Sequence, residues 1–180
     1  KKGNISHLLM IGGIVSYKTL INVKDKPIVL MRDEIRSIFD GLKKLDYEDI
    51  LFALHYFTKP LEEIKPELKE KSKNVVEKTL SQQLSSLLED LYKDYEKSQP
   101  SFQLGVQINV SWPDSKDVNQ LKASYPKLKT ILQVSDFSSV EKRVGEYDVD
   151  YILIDASRGR GREFDLNEAI EIYRTISRNN

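Results

Sequence analysis

Tyr151-Ile152-Leu153-Ile154-Asp155-Ala156-Ser157-Arg158-Gly159-Arg160-Gly161-Arg162-Glu163-Phe164-Asp165 is the stretch whose reading decides the fold. It opens as a short apolar run of the kind that forms a strand buried on both faces. The run ends in one carboxylate, Asp155. A loop with two glycines and three arginines follows, and then an amphipathic helical pattern from Leu166 to Arg178. Strand, loop and helix in that order make the repeating unit of an α/β protein, and such proteins place their chemistry at the C-terminal ends of buried strands. The plainer alternative is that Asp155 caps the turn and the arginines face water.

Working outward, the same alternation recurs. Residues 7–15 read as a buried strand with Gly12 and Gly13 near its end, and Ser16 caps a short helix. Residues 27–31 form a second apolar run, opened by Pro27. Residues 32–45 then place Ile35, Ile38, Phe39, Leu42 and Leu45 on one helical face. Residues 49–57 predict a third strand, ending in His55 and Tyr56. Residues 102–110, 129–135 and 150–156 predict three more, separated by helices capped at Asp114 or Ser115 and at Ser135 or Asp136. Six apolar runs alternating with helices argue for a mostly parallel sheet in a single α/β domain over residues 1–180.

One segment departs from this pattern. From residue 61 to 97 apolar residues recur every three or four positions among lysines and glutamates, a helical insertion over residues 62–98 that begins near Pro66. A helix of about 30 residues would be about 45 Å long at ~1.5 Å per residue. It is expected either to break near Ser81 or Ser85 or to project, and it is the best surface for a partner or a homodimer.

The totals narrow the function. Lysine plus arginine is 28, aspartate plus glutamate is 28, and the chain of 180 residues is formally neutral. That argues against a generally basic nucleic-acid binder. With no cysteine there is no thiolate nucleophile or disulfide, which suits a cytoplasmic protein. Two histidines far apart make a zinc site improbable. No Gly-x-Gly-x-x-Gly opens a helix, and the arginine loop has no lysine-serine or lysine-threonine sequel, so no cofactor is expected. No apolar run approaches the ~18 residues of a membrane helix, and Lys1-Lys2-Gly3-Asn4 is not a signal peptide.

In a parallel sheet all strand ends lie on one rim. The polar groups expected there include Asp155 as a general acid or base and His55 as its counterpart in proton transfer. Gln107 and Asn109 would orient a hydroxylated ligand, and Trp112 would stack on a ring. Arg158, Arg160 and Arg162, helped by the backbone of Gly159 and Gly161, would hold phosphate or carboxylate, and Arg32 joins the same rim. The plainer readings are a packing histidine, a tryptophan covering the end of the sheet, and solvated arginines.

Three pieces of the chain resemble the phosphoribosylanthranilate isomerase family, a (β/α)8 barrel of the TIM-barrel type. They are Ile11-Gly12-Gly13-Ile14 in the first strand, Val106-Gln107-Ile108-Asn109-Val110 midway, and Leu153-Ile154-Asp155 followed by Gly159-Arg160-Gly161 and Phe164-Asp165. The resemblance implies a barrel-related, incomplete α/β fold that binds a small phosphorylated or carboxylated sugar-like ligand. It gives Asp155 the place of the family's general acid in an isomerase-like or lyase-like step. Gly12 stands where the family has its cysteine base, and Asn109 where it has a histidine. Glycine has no side chain to take a proton, so the resemblance speaks for the fold and the ligand-binding rim and against the isomerase reaction itself. The chain also ends just after its sixth helix, so the family's phosphate loops after strands seven and eight have no counterpart. The alternative from another class is a non-catalytic interaction or dimerisation domain that uses the long helix; RNA or single-stranded DNA binding through the arginine loop ranks last.

Overall fold

The computed structural model describes residues 8–24, 29–57, 64–108, 114–134, 144–155 and 165–179. The order of elements is β1 (Leu9–Ser16), α1 (Tyr17–Leu20), α2 (Arg32–Leu42), β2 (Ile50–Phe57), α3 (Pro66–Val76), α4 (Leu80–Ser98), β3 (Gln103–Ile108), α5 (Ser115–Ser124), β4 (Lys129–Val134), β5 (Tyr151–Ile154) and α6 (Leu166–Asn179). A 3-10 turn, Val144–Glu146, is described between β4 and β5. The five strands form one sheet in the order β1-β2-β3-β4-β5, and every neighbouring pair is parallel. The expected α/β class and parallel sheet are therefore observed.

Among the described residues there are five strands, not the six expected. The described part of the run at 27–31, residues 29–31, is not in a strand; Pro27 and Ile28 lie outside the described residues. Leu30 N–H donates to Ile14 O at 2.8 Å, and Leu30 O accepts from Thr19 Oγ1 at 2.8 Å. That is one ladder bond on the outer edge of β1. Directly afterwards Met31 N–H donates to Glu34 Oε2 at 2.7 Å, which opens α2. The run is too short to pair before the helix begins. Leu30 also explains Gly13, because a Cβ there would stand 2.8 Å from Leu30 Cδ1.

A sheet whose strands follow chain order with right-handed crossovers keeps its helices on one face. Side chains alternate along each strand, and the alternation sorts the core accordingly. Phe52, Leu54 and Tyr56 of β2, Leu104, Val106 and Ile108 of β3, and Leu132 of β4 pack against Ile35 and Phe39 of α2, against Leu84, Leu87, Leu88 and Leu91 of α4, and against Val118 and Leu121 of α5. Val134 of β4 packs against Ile172 of α6, with Ile152, Ile154 and Ile176 beside them. Each fully buried leucine, isoleucine or phenylalanine contributes about 1.5–3 kcal/mol. Phe39 and Phe102 meet edge to face at 5.4 Å, a favoured aromatic geometry.

The long helical segment begins at Pro66 as its sequence suggests, but it breaks at residues 77–79, ahead of Ser81 and Ser85. Thr79 is extended and caps α4: Thr79 Oγ1 accepts from Gln82 N–H at 3.4 Å, and Gln82 Oε1 accepts from Thr79 N–H at 3.1 Å. Asp117 of α5 closes the same helix start, accepting hydrogen bonds from Ser81 N–H and Ser81 Oγ. The segment is therefore two helices, α3 and α4, and the apolar side of α4 lies in the core. No described helix is long and apolar enough to cross a membrane.

Candidate functional site

The second face of the sheet carries the intervening residues. Leu51, Ala53 and Ile131 form a small cluster there with Tyr151 and Leu153. Above that cluster, toward the C-terminal ends of the strands, the same face turns polar. His55 of β2 is paired in register with Gln107 of β3. Gln107 is paired with Ile131, so Gln133 lies two residues further along β4 on the same face. Gln133 is paired with Leu153, so Asp155 again lies two residues further on, just past β5. The polar groups climb diagonally across four strands.

The diagonal is hydrogen-bonded. Gln107 Nε2 donates to Gln133 Oε1 at 3.0 Å, and Gln133 Nε2 donates to Asp155 Oδ2 at 2.7 Å. Gln107 is 5% exposed and Gln133 4%. Amides this deep persist only where they are satisfied, and the bond to the carboxylate is of the stronger, charge-assisted kind. Asp155 is also anchored through its backbone, its N–H donating to Val134 O at 2.8 Å.

His55 stands at the other end of the row. Its Nε2 is buried and has no hydrogen-bond partner among the described residues. Burial pushes the imidazole below its ordinary value of 6.5, and the Asp155 carboxylate offsets part of that shift. At neutral pH the ring is therefore uncharged, with one nitrogen that can donate or accept.

Of the residues expected at the rim, the structure brings together His55, Gln107 and Asp155. It places Arg32 elsewhere, on the helix layer. Its guanidinium donates to Ser86 O at 2.8 Å, and it lines an open groove between α2 and α4 with Arg36, Asp90, Lys93, Asp94 and Lys97. The reason is topological: Arg32 opens α2, and α2 packs on the face opposite His55. Asn109, Trp112, Arg158, Gly159, Arg160 and Gly161 lie outside the described residues. Gly12, at the place of the resembled family's base, is paired with Ala53 and so shares the face of His55 and Asp155; a Cβ there would meet nothing within 4 Å.

Gln133 is the member of the row that sequence reasoning missed. The signal was present, since a glutamine interrupts the run Thr130-Ile131-Leu132-Gln133-Val134 two residues from its end, as Gln107 interrupts β3. A polar residue inside an otherwise apolar buried strand is informative in a way that an apolar one is not. No protein-family model matches the chain, and comparison with curated proteins finds no match either.

Proposed function

We propose that the polar end of this second face binds a small phosphorylated or carboxylated sugar-like ligand, in a sheet that is an arc of a β/α barrel of the kind found in phosphoribosylanthranilate isomerases. The reading is carried by one observation: two buried amides tie Asp155 to the neighbourhood of an uncharged, unpartnered histidine, on the face that the described helices leave free. The strand order following the chain, the helices on one face and the diagonal climb of the row support the barrel arc, because barrel strands tilt and stagger in this way.

In this reading Asp155 is the acid or base of any isomerase-like or lyase-like step, and His55 and Gln107 orient the ligand. Arg158, Gly159, Arg160 and Gly161 come shortly after Asp155 in sequence and would hold the anionic group. The open space at Gly12 means that β1 offers no side-chain proton acceptor there, so binding is the activity claimed and turnover is not required. Against the alternative of a partner surface on the long helical segment stands the burial of Leu84, Leu87, Leu88 and Leu91 of α4 in the chain's own core.

The test is thermal unfolding in the presence of ribose 5-phosphate, glycerol 3-phosphate and citrate. A ligand at a hundred times its dissociation constant stabilises by about 2.7 kcal/mol, which for a chain of this length raises Tm by roughly 5–10 °C. If none of the panel raises Tm, the reading fails. If one does, Asp155→Asn separates binding from any turnover.

A further inference from the structure

The hydrogen-bonded row has a direction, and the direction says what kind of group it receives. An ionised carboxylate only accepts. Gln133 must therefore turn its NH2 toward Asp155, as it does at 2.7 Å, and present its carbonyl to Gln107. Gln107 must in turn spend its NH2 on that carbonyl, as it does at 3.0 Å, and its own Oε1 is left over. Gln107 makes no other side-chain hydrogen bond among the described residues, although it is only 5% exposed. Next to it on the paired strand is His55 Nε2, buried and equally unused. Neighbouring strands are about 4.8 Å apart, so one small group can touch both.

Resting on the ligand reading above, we infer that Gln107 Oε1 and His55 Nε2 together form the seat of a ligand hydroxyl. The hydroxyl donates to Gln107 Oε1 and exchanges its second bond with the imidazole. A phosphate or carboxylate oxygen lacks the proton that Gln107 Oε1 requires, and it would sit near the Asp155 carboxylate. An ammonium could donate to both groups, but it would give up its hydration beside a histidine that burial already keeps uncharged. The ligand is accordingly bipolar: its hydroxyl end lies over β2 and β3, and its anionic end lies off this seat.

The chain has two histidines, His7 and His55. Their imidazole nitrogens are resolved in a long-range 1H–15N spectrum and assigned with His7→Gln. Three matched probes are added in turn: glycerol 3-phosphate, phosphoethanolamine and inorganic phosphate. Glycerol 3-phosphate should move the His55 Nε2 resonance, and inorganic phosphate should leave it in place. Gln107→Leu should weaken glycerol 3-phosphate binding about tenfold, the equivalent of one hydrogen bond, without changing the affinity for inorganic phosphate. A larger displacement by phosphoethanolamine would assign an ammonium instead and overturn the inference. Glycerol 3-phosphate that raises Tm without moving His55 would also overturn it, while leaving the ligand site standing. If no probe of either panel raises Tm, the ligand reading falls and takes the hydroxyl seat with it.

Discussion

Replacing Gln133 by leucine should be among the most damaging single changes on the second face of the sheet, and the structure gives the reason in parts. Gln133→Leu leaves Gln107 Nε2 without its 3.0 Å acceptor inside a residue that is 5% exposed. A buried donor without a partner costs about 1–3 kcal/mol. The change also removes the 2.7 Å bond to Asp155, and hydrogen bonds to charged groups are worth about 1.5–3 kcal/mol. The added apolar surface returns roughly 1 kcal/mol at ~25 cal/mol per Å2. The net loss is about 2–4 kcal/mol, read as a fall in the urea midpoint at unchanged slope. Gln107→Leu spares the carboxylate and should cost less, about 1–2 kcal/mol. Gln133→Glu keeps the shape and sets a second carboxylate against Asp155, so the pair must share a proton. Its folded-state pKa is raised, its stability is fullest below the unfolded glutamate value of about 4.3, and its deficit against the native chain widens as pH rises. If Gln133→Leu unfolds within about 0.5 kcal/mol of the native protein, the span of an ordinary surface substitution, the row is incidental and the argument built on it fails.

Other expectations follow from single residues. Burial disfavours the charged His55 ring and lowers its folded-state pKa from the ordinary value of 6.5. The unfolded chain therefore binds more protons, and stability falls as pH drops below about 6.5; His55→Gln should flatten that part of a pH–stability curve, and an unchanged slope would contradict the assignment. Gly12→Ala should be nearly neutral, within about 0.5 kcal/mol, since a Cβ there meets nothing within 4 Å. Gly105→Ala brings a Cβ to 3.0 Å from Lys129 O and from Leu51 Cδ1 and should cost about 1–3 kcal/mol; equal midpoints for the two variants would refute the packing described. Asp117→Ala removes the acceptor of Ser81 N–H and Ser81 Oγ at the start of α4 and should cost about 1–3 kcal/mol in chemical denaturation.

Much of this architecture was legible in the chain because strands buried in a parallel sheet announce themselves as unbroken apolar runs. Residues 49–57, 102–110, 129–135 and 150–156 each contain an observed strand. The run at 27–31 misled because apolar content alone does not show whether a neighbour has room for another strand. Leu30 reaches β1 with a single bond and is then claimed by the cap of α2. The helix break was readable in the wrong place: Thr79-Leu80-Ser81-Gln82 is a capping box, and it outweighs the serines further on. At the candidate site, residues at strand ends were found by their position in the run. Arg32 was misjudged because the β-to-α order does not reveal which face a side chain near the helix start will choose. Gln133 was overlooked because its significance lies in register, in the two-residue climb from β3 to β4 and again to β5, which no local window of sequence contains.

The alternation of side chains along β2, β3 and β4 divides two duties residue by residue: Tyr56, Val106 and Leu132 face the helices, while His55, Gln107 and Gln133 face away. Point replacements can therefore alter one layer at a time. A change in reading frame of the strand allows no such separation. Deleting one residue inside β3 would rotate an amide into the oily layer and a valine into the polar row at the same stroke. Change should accumulate here by substitution, while insertions and deletions are confined to the connections between strands.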